Sequence, residues 1–403
     1  MKILLISYYF YPKDTVGSIR PSRLADWLLS RGHDVTVVTK MSPPSHLQKT
    51  KLFFLVTPDH SFEKKLDEFG VKALIKGLGL SRIINLFSLI FRWPDGQVSW
   101  ARKVIEKNLV ATNFQQYDLI YVSAPPFSSF KIAKELSKAY NIPWVAEFRD
   151  LWSENHNYQL PRWRKKIDKY FEKKVLKNAS ALVTVSQDLA KKLEGFNKPI
   201  ITIQNGFDLD LLTIKPEIRK KSKVIRLVYT GTIYYQKYSW RELLKGLKKF
   251  CISGGFFELI LAGSSHEIFL KEAKRLKLDK YVISRGYLKQ EESFALQKSA
   301  DLLIFFPWQG SKGIVTSKLF EYFATRNKIM VVGQRTDISQ FIINRGQGHL
   351  VSNDNDILLF LKNILLKKDN FQSEIKVDRK CLLKFSRENQ FKILEKSLIK
   401  LIN

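Results

Sequence analysis

The sequence is poor in the residues that build disulfide and metal sites. It has two cysteines, Cys251 and Cys381, in 403 residues, too few for a disulfide framework or a cysteine zinc site on their own. Its six histidines show no metal-ligand spacing on any one element, which argues against a dedicated zinc or iron centre. We therefore expect a reducing compartment and, for an enzyme, catalysis by other groups.

Long hydrophobic runs are missing as well. No window holds about 20 apolar residues without a charge, so we predict no membrane-spanning helix. The segment 71–93 comes nearest. The start, MKILLISYYF, leads directly into patterned sequence without a small-residue cleavage site, and is predicted to be a first strand, not a signal peptide.

Acidic residues are scarce relative to basic ones. The chain contains 38 Asp and Glu residues and 68 Lys and Arg residues, which gives a formal net charge of +30. Such a chain attracts polyanions, namely nucleic acid, an anionic membrane surface or phosphate-bearing substrates; a surface that has simply drifted basic is the alternative. The lysines are spread along the whole chain, without an RNA-binding motif or a helix-turn-helix, so nucleic-acid binding is a hypothesis motivated by charge alone.

The chain is long enough for two domains. Its 403 residues exceed what a single hydrophobic core usually holds. Short apolar runs alternate with helical patterns, which predicts an α/β fold built on parallel sheets. We predict strands in ten runs: 3–9, 35–39, 119–123, 144–148, 181–186, 226–230, 257–262, 281–284, 301–305 and 328–332.

A turn at Asn205-Gly206 separates two series of these runs. We therefore predict one domain over 1–205 and a second over 206–385. The last stretch, 386–403, is predicted to be an amphipathic helix that packs back onto the first domain. Ligands of open parallel sheets bind beyond the carboxyl ends of the strands, so the residues after each run are the candidates for chemistry.

The loop after the first strand contains Gly17, which permits close backbone approach, and Ser18, which is predicted to cap the next helix. The amino end of that helix suits an anion or a sugar hydroxyl. A purely structural turn is the alternative, because a single glycine is not the G-x-G-x-x-G dinucleotide fingerprint.

Charged and aromatic residues cluster where the run 144–148 ends, at Glu147, Arg149, Asp150 and Trp152. Two acids and an arginine this close are costly in a core, which favours a cleft. Asp150 is predicted to orient an acceptor hydroxyl, and Arg149 to hold a phosphate or to set the ionisation of the acid. The alternative is an ion pair within the domain.

In the second half, Lys237 follows the turn at Gly231 and can reach a diphosphate without a metal. Further on, a predicted helix begins at Thr316 or Ser317, and Glu321 lies about one turn inside it. The first backbone amides of this helix form a predicted anion site: Thr316, Ser317 and Lys318. Glu321 suits paired ribose hydroxyls; a carboxylate that stabilises the helix dipole is the alternative.

The order and spacing of these segments resemble a family-4 retaining glycosyltransferase of the GT-B type, with two Rossmann-like domains facing a cleft. The resemblance covers nearly the whole chain and is carried by these motifs: RGHDVTVVT, SAPPFSS, IPWVAEFRDLW, VTVSQDLA, QNGFD, TGT, AGS, RGYLKQEE, SADLLIFF and TSKLFEYFA. It implies a nucleotide-sugar donor, UDP- or GDP-linked, on the second domain and an acceptor on the first. It also implies transfer with retention of configuration and no metal or other cofactor.

The resemblance gives roles to single residues. Lys237 holds the diphosphate, Glu321 binds the ribose as the second acid of an E-x7-E pair, and the base lies near Gly286 and Tyr287. Two positions depart from the family pattern. Gly313 replaces the first acid of the pair, which removes a contact to the donor sugar, and Thr232 replaces an arginine near the diphosphate.

The predicted site residues fall into three sets. The catalytic residues are Arg149, Asp150, Lys237 and Glu321. The donor-binding residues are Gly17, Gly231, Thr232, Lys237, Gly286, Tyr287, Thr316, Ser317, Lys318 and Glu321. The acceptor-binding residues are Arg20, Glu147, Asp150 and Trp152. No metal ligand is predicted.

Two segments point to a membrane surface. Polar and basic residues recur every three or four positions in 71–93, the pattern of a helix lying on anionic lipid; a buried helix is the alternative. The basic segment 161–177 either adds surface attraction or is an ordinary solvated face.

With the resemblance, these features predict a cytoplasmic enzyme bound to the inner face of the plasma membrane. Its acceptor is predicted to be a lipid-linked saccharide in assembly of capsule, lipopolysaccharide or another surface polysaccharide. The rival hypotheses are a nucleic-acid-binding protein and a sugar-nucleotide epimerase on the same fold.

Overall fold

The computed structural model describes residues 1–11, 16–40, 52–56, 93–111, 114–155, 160–219, 224–308, 316–366 and 379–402. Contacts divide the chain into two compact units. Unit 1 comprises Met1–Ile203 and Phe391–Asn403, and unit 2 comprises Gln204–Gln390.

Unit 1 is built on a seven-stranded parallel sheet of order β3-β2-β1-β4-β5-β6-β7. Its strands are β1 (Lys2–Ile6), β2 (Asp34–Thr39), β3 (Leu52–Val56), β4 (Leu119–Ala124), β5 (Trp144–Phe148), β6 (Ala181–Thr184) and β7 (Ile200–Thr202). Its described helices are α1 (Val16–Ser30), α2 (Val98–Ala111), α3 (Ser128–Tyr140), α4 (Arg162–Leu176) and α5 (Gln187–Leu193).

Unit 2 is built on a six-stranded parallel sheet of order β10-β9-β8-β11-β12-β13. Its strands are β8 (Ile225–Thr230), β9 (Phe257–Ala262), β10 (Val282–Ser284), β11 (Leu302–Phe305), β12 (Lys328–Val332) and β13 (Gly348–Val351). The helices after β8 are α6 (Trp240–Ile252), α7 (Glu267–Arg275), α8 (Gln290–Lys298), α9 (Ser317–Thr325), α10 (Asp337–Ile343), α11 (Asp354–Leu366) and α12 (Arg379–Leu383), followed by α13 (Arg387–Ile402).

The central strands are mostly apolar because both faces of each sheet are covered. In β1, Ile3 and Leu5 pack in the core on one face, and Leu4 and Ile6 pack in the core on the other. In both sheets the strand order reverses beside the first strand, between β1 and β4 and between β8 and β11. Such a reversal opens a crevice at the carboxyl ends of the strands, where ligands bind in doubly wound sheets.

The predicted fold class is confirmed, since each of the ten predicted runs contains a strand. Three strands were missed, namely β3, β7 and β13. All three lie at sheet edges. The strands β7 and β13 are short and mostly half-buried, so their apolar pattern is weak. In β7, for instance, every residue is half-buried. In contrast, β3 reads LFFLV and is an apolar run that the prediction overlooked.

The prediction that Ser18 caps the first helix is wrong. The helix α1 begins at Val16, so Ser18 lies in its first turn and is buried. The predicted end is confirmed: the Arg31 amide donates to the Trp27 carbonyl at 3.1 Å, and Gly32 has a φ of +84°, the left-handed conformation that commonly ends a helix.

The terminal helix α13 contributes to the core of unit 1. Phe391, Leu394 and Leu398 are buried in the same cluster as Ile3, and the Glu395 carboxylate lies 2.9 Å from His33 Nε2. Among the described residues no helix is long and apolar enough to cross a membrane. The predicted interfacial helix over 71–93 lies, except for Trp93, outside the described residues.

Candidate functional site

Two glycines bring the loops after β8 and β9 into backbone contact. The Gly231 amide donates to the Ala262 carbonyl at 2.7 Å, and a Cβ added to Gly263 would lie 2.5 Å from the Gly231 carbonyl oxygen. Both residues have positive φ, +116° and +136°, a region that favours glycine. The glycines of the TGT and AGS motifs therefore allow the backbones of these two loops to come into contact.

A buried histidine, which the sequence reasoning missed, supports the same loops. His266 Nε2 lies 3.2 Å from the Gly231 carbonyl oxygen, and its Nδ1 lies 2.9 Å from Ser284 Oγ. Burial lowers the pKa of His266, which favours the neutral ring. Nε2 then donates to the carbonyl, and Nδ1 accepts from the serine.

The loops after β8, β9 and β10 form one connected rim. Thr232 Oγ1 and Ser264 Oγ lie 2.9 Å apart, and the Gly263 amide donates to the Gly286 carbonyl at 2.7 Å. The Tyr287 side chain is 68% exposed, so its ring is accessible at this rim. Gly286 and Tyr287, the predicted base contacts, thus belong to the same rim as Thr232.

Lys318, in the first turn of α9, places a cation at the point where the strand order reverses. Its Nζ donates to the Tyr229 hydroxyl at 2.9 Å and lies 4.1 Å from the Tyr229 ring centroid and 6.0 Å from that of Phe305. These rings belong to β8 and β11. A Cβ on Gly231 would lie 3.4 Å from this Nζ, so the ammonium lies directly beside the glycine loop.

The surroundings of Lys318 contain aromatic rings in place of acids. No carboxylate lies within ion-pair distance of its Nζ in the part of the chain that the structure describes. Burial lowers the pKa of Lys318 to about 7. Desolvation disfavours the charged ammonium form, and no counter-ion of the described residues compensates for the lost hydration. An anionic ligand would supply the missing charge.

The helix α9 begins as predicted, with Thr316 at the N-cap position. The Thr316 side chain does not accept a bond from the helix, however, and its Oγ1 is buried without a hydrogen-bond partner among the described residues. The first amides of α9 therefore lack a side-chain cap from Thr316. Gly313, at the position of the missing acid, lies outside the described residues.

Glu321 is held by two amide side chains. Gln290 Nε2 donates to Oε1 at 3.1 Å, and Gln297 Nε2 donates to Oε2 at 3.2 Å. Gln297 also donates to Thr230 Oγ1 at 3.1 Å, which ties the carboxylate to the end of β8. Burial raises the pKa of Glu321, against these hydrogen bonds. With a fixed orientation and lone pairs to spare, the carboxylate can accept bonds from hydroxyl groups.

Lys237 lies in the loop after β8, where its amide donates to the Tyr234 carbonyl at 2.9 Å. Its side chain is half-buried and makes no hydrogen bond or ion pair with the described residues. Unit 2 therefore contains two lysines, Lys237 and Lys318, without an acidic partner around the carboxyl end of β8.

The charged cluster predicted in unit 1 is an interior ion pair. Arg20 Nε donates to Glu147 Oε1 at 2.7 Å, and Arg20 also donates to the Ile203 carbonyl at 3.0 Å. Arg20 and Glu147 are 3% and 0% exposed. Burial raises the pKa of Glu147, but Arg20 and Ser123 outweigh it and hold the pKa below its usual range. The predicted contacts of these two residues with an acceptor are therefore corrected: both side chains are used in the interior.

Arg149 and Trp152 also have structural contacts. The Arg149 guanidinium donates to the carbonyls of Ala124, at 3.2 Å, and Pro125, at 2.6 Å, and to that of Gly17. It thus joins three backbone segments at the carboxyl edge of the sheet. Trp152 is 3% exposed and stacks on a phenylalanine ring, so acceptor binding by its ring is not supported. Asp150 is half-buried and makes no hydrogen bond with the described residues.

The described residues include no group of three or more His, Cys, Asp or Glu side chains that could hold a metal ion.

Comparison with known proteins agrees with this architecture. Residues 22–211 match the sequence profile of Glycosyltransferase Family 4. No curated protein matches the sequence.

Solved structures share the fold over nearly the full length. Sucrose-phosphate synthase from Thermosynechococcus elongatus has a TM-score of 0.65 at 15% identity, with 99% of this chain and 98% of that chain covered. Anabaena HepE in complex with UDP has a TM-score of 0.66 at 14% identity, with 99% and 100% covered. WaaG, a glycosyltransferase involved in lipopolysaccharide biosynthesis, has a TM-score of 0.60 at 12% identity, with 99% of each chain covered. The chain is therefore similar to Glycosyltransferase Family 4 over residues 22–211, and it shares the two-domain GT-B fold of these solved structures.

Proposed function

We propose that this protein transfers a sugar from a UDP- or GDP-linked donor to a saccharide acceptor, with retention of configuration and without a metal. The observation that carries the proposal is Lys318, a half-buried cation that has no carboxylate partner among the described residues and lies beside the Gly231 loop. Its position at the strand-order reversal is the position of phosphate sites in doubly wound sheets. The structures of HepE with UDP and with UDP-glucose support the choice of donor.

In this proposal charged side chains of unit 2 bind the diphosphate and the ribose of the donor. Lys318 and Lys237 stabilise the negative charge that develops on the departing diphosphate, the electrostatic contribution that oriented cations supply in a dry site. Glu321 accepts hydrogen bonds from the ribose hydroxyls while Gln290 and Gln297 hold its orientation. The leaving-group oxygen takes up the acceptor proton, so no nucleophile of the protein is required.

Asp150 is the proposed acceptor residue of unit 1. It follows β5 directly and, unlike Glu147, it has no cation bonded to its carboxylate among the described residues. Arg149 acts as a positioning residue, because its donors hold the loops that flank Asp150. The carboxylate orients the attacking hydroxyl through a charge-assisted hydrogen bond.

The acceptor is proposed to be a lipid-linked saccharide, in the assembly of a capsule, lipopolysaccharide or similar surface polymer. The enzyme then works in the cytoplasm, on the inner face of the plasma membrane. The net charge of +30 supports attraction to an anionic surface. The similarity to WaaG supports an acceptor of this class.

The first test is thermal stabilisation by a panel of nucleotide sugars in the presence of a metal chelator. A ligand at 100 times its dissociation constant stabilises the folded protein by about 2.7 kcal/mol, which gives a clear rise in Tm. With the donor that stabilises the wild type, Lys237→Met and Glu321→Gln are expected to give a clearly smaller shift. Lys271→Met and Glu291→Gln, two exposed residues of unit 2, are the matched controls and are expected to keep the wild-type shift. No shift with any donor would refute the proposal.

The second test measures transfer. The stabilising donor is incubated with a lipid-linked saccharide, and the anomeric configuration of the product is read by NMR. Release of nucleoside diphosphate only when acceptor is present supports a transferase, whereas a changed donor sugar without acceptor supports an epimerase. Tight, salt-dependent binding of an oligonucleotide without any donor effect would favour the nucleic-acid alternative.

A further inference from the structure

We propose that the outward face of α4 binds the surface of an anionic lipid bilayer and is the element by which unit 1 docks on the membrane. The proposal rests on the proposed function in one respect: a lipid-linked acceptor requires the enzyme to reach a bilayer. The helix itself separates its acidic residues from its basic and apolar ones in a way that an ordinary solvated helix does not.

The acidic residues of α4 are turned into the protein. Asp168 is 1% exposed and accepts from Arg164 at 3.1 Å and from the Trp93 indole at 2.7 Å. Glu172 is 2% exposed and accepts from the Ser153 amide at 3.3 Å. Neither acid is therefore available to neutralise a cation on the outer face.

The outer face carries only basic and apolar residues. The exposed basic residues of α4 are Arg162, Lys165, Lys166, Lys169, Lys173 and Lys174. Of these, Lys169 has an acid within ion-pair distance in the described chain, Glu154 at 3.5 Å. The others have none there, so their charges add along one side of a helix that is about 22 Å long.

An apolar stripe runs along one flank of these cations. Trp163, Ile167 and Tyr170 are 42%, 40% and 63% exposed. Their spacing of four and three residues places them on one side of the helix, above one another. Leaving three large apolar side chains in water is unfavourable, and a solvated face does not require them.

An anionic bilayer suits both features together. Trp and Tyr are favoured at the boundary between headgroups and acyl chains, and lysines beside them reach up to the phosphates while their stems lie along the apolar surface. A nucleic acid or an acidic protein would bind the cations but would not need an apolar stripe beside them. The charge and the stripe together therefore favour lipid.

The test is co-sedimentation of the full chain with vesicles. One set is phosphatidylcholine alone, and the other contains about one third phosphatidylglycerol, a fraction that gives a negative surface potential. The apolar variant carries Trp163→Ser, Ile167→Ser and Tyr170→Ser. The cationic variant carries Lys166→Gln, Lys173→Gln and Lys174→Gln. The matched control carries Lys271→Gln, Lys274→Gln and Lys362→Gln, three exposed lysines of unit 2.

We expect the wild type to bind the phosphatidylglycerol vesicles and not the neutral ones. Both α4 variants should partition at least about tenfold less, since each lysine near an anionic surface adds to the binding and the apolar side chains add to it independently. The control should bind as the wild type does. Affinity of the apolar variant for a single-stranded oligonucleotide should equal that of the wild type.

Three results would overturn the proposal: a wild type that ignores anionic vesicles, a control that loses as much binding as the cationic variant, or an apolar variant that binds vesicles as well as the wild type. The last result would mean that α4 is a general polyanion surface. Nucleotide binding by unit 2 is measured on the same preparations. If the wild type binds no nucleotide, the proposed function is refuted. The vesicle result still decides whether α4 is the docking surface.

Discussion

Binding of UDP at pH 8 should be accompanied by uptake of a proton at Lys318. In the free protein the amine lies against aromatic rings, no carboxylate of the described residues pairs with it, and burial lowers its pKa to about 7. A phosphate beside the amine favours the ammonium form and raises the pKa again. The affinity for UDP should therefore fall as the pH rises above 7, because binding then requires a proton that the free protein has lost.

The size of the effect follows from the pKa. At pH 8 about nine tenths of the Lys318 amines are neutral in the free protein, so binding takes up about one proton per site. At pH 6 nearly all of the amines are already protonated, so binding takes up almost no proton. The terminal phosphate of UDP is fully ionised at pH 8, as its second pKa is about 6. Above pH 7 the affinity loses at most about tenfold per pH unit.

The assay is calorimetric titration of UDP in two buffers that differ in ionisation enthalpy. Lys318→Arg keeps the charge at all these pH values and should remove the proton uptake. Lys318→Met loses a charge-assisted hydrogen bond worth about 1.5–3 kcal/mol and should bind UDP about 10–100-fold less tightly, with the affinity for uridine unchanged. Proton uptake at pH 8 that persists in Lys318→Arg, or equal losses for UDP and uridine in Lys318→Met, would refute the reasoning.

Three further predictions concern single side chains. Glu321→Gln should weaken uridine binding about tenfold, because neutral hydrogen bonds replace charge-assisted ones to the ribose; calorimetry with Glu291→Gln as control checks this, and equal affinities would contradict it. Gly263→Ala should lower the free energy of unfolding in urea by more than Gly254→Ala: both have positive φ, but a Cβ meets the loop after β8 at 2.5 Å in the first case and nothing within 4 Å in the second. Glu147→Gln should cost about 3–5 kcal/mol by leaving a buried arginine unpaired. Because the folded pKa of this carboxyl is lowered, its stabilisation is present above the unfolded pKa and is lost as the pH falls through the folded value, so the difference between wild type and variant in urea unfolding should shrink below pH 4; an unchanged difference would argue against the pair.

The sequence by itself determined the fold class. Apolar runs such as ILLI at 3–6 are continuous because parallel strands are covered on both faces, and this property is local to each run. The N-cap position of α9 at Thr316 could also be predicted, because the residue preference at a helix start is a local property too. The edge strand β13 escaped prediction, since its sequence GHLV is short and its partly covered side chains leave no continuous apolar run.

The partners of the charged side chains were decided only by the tertiary structure. Arg20 and Glu147 are 127 residues apart in the chain, and no local pattern shows that the order of the sheet brings them together in the interior. Lys318 was predicted as a source of backbone amides, but its place between the rings of β8 and β11 depends on the strand-order reversal. Periodicity records which face of an element is buried, whereas the identity of the partner across that face depends on the packing of elements distant in sequence.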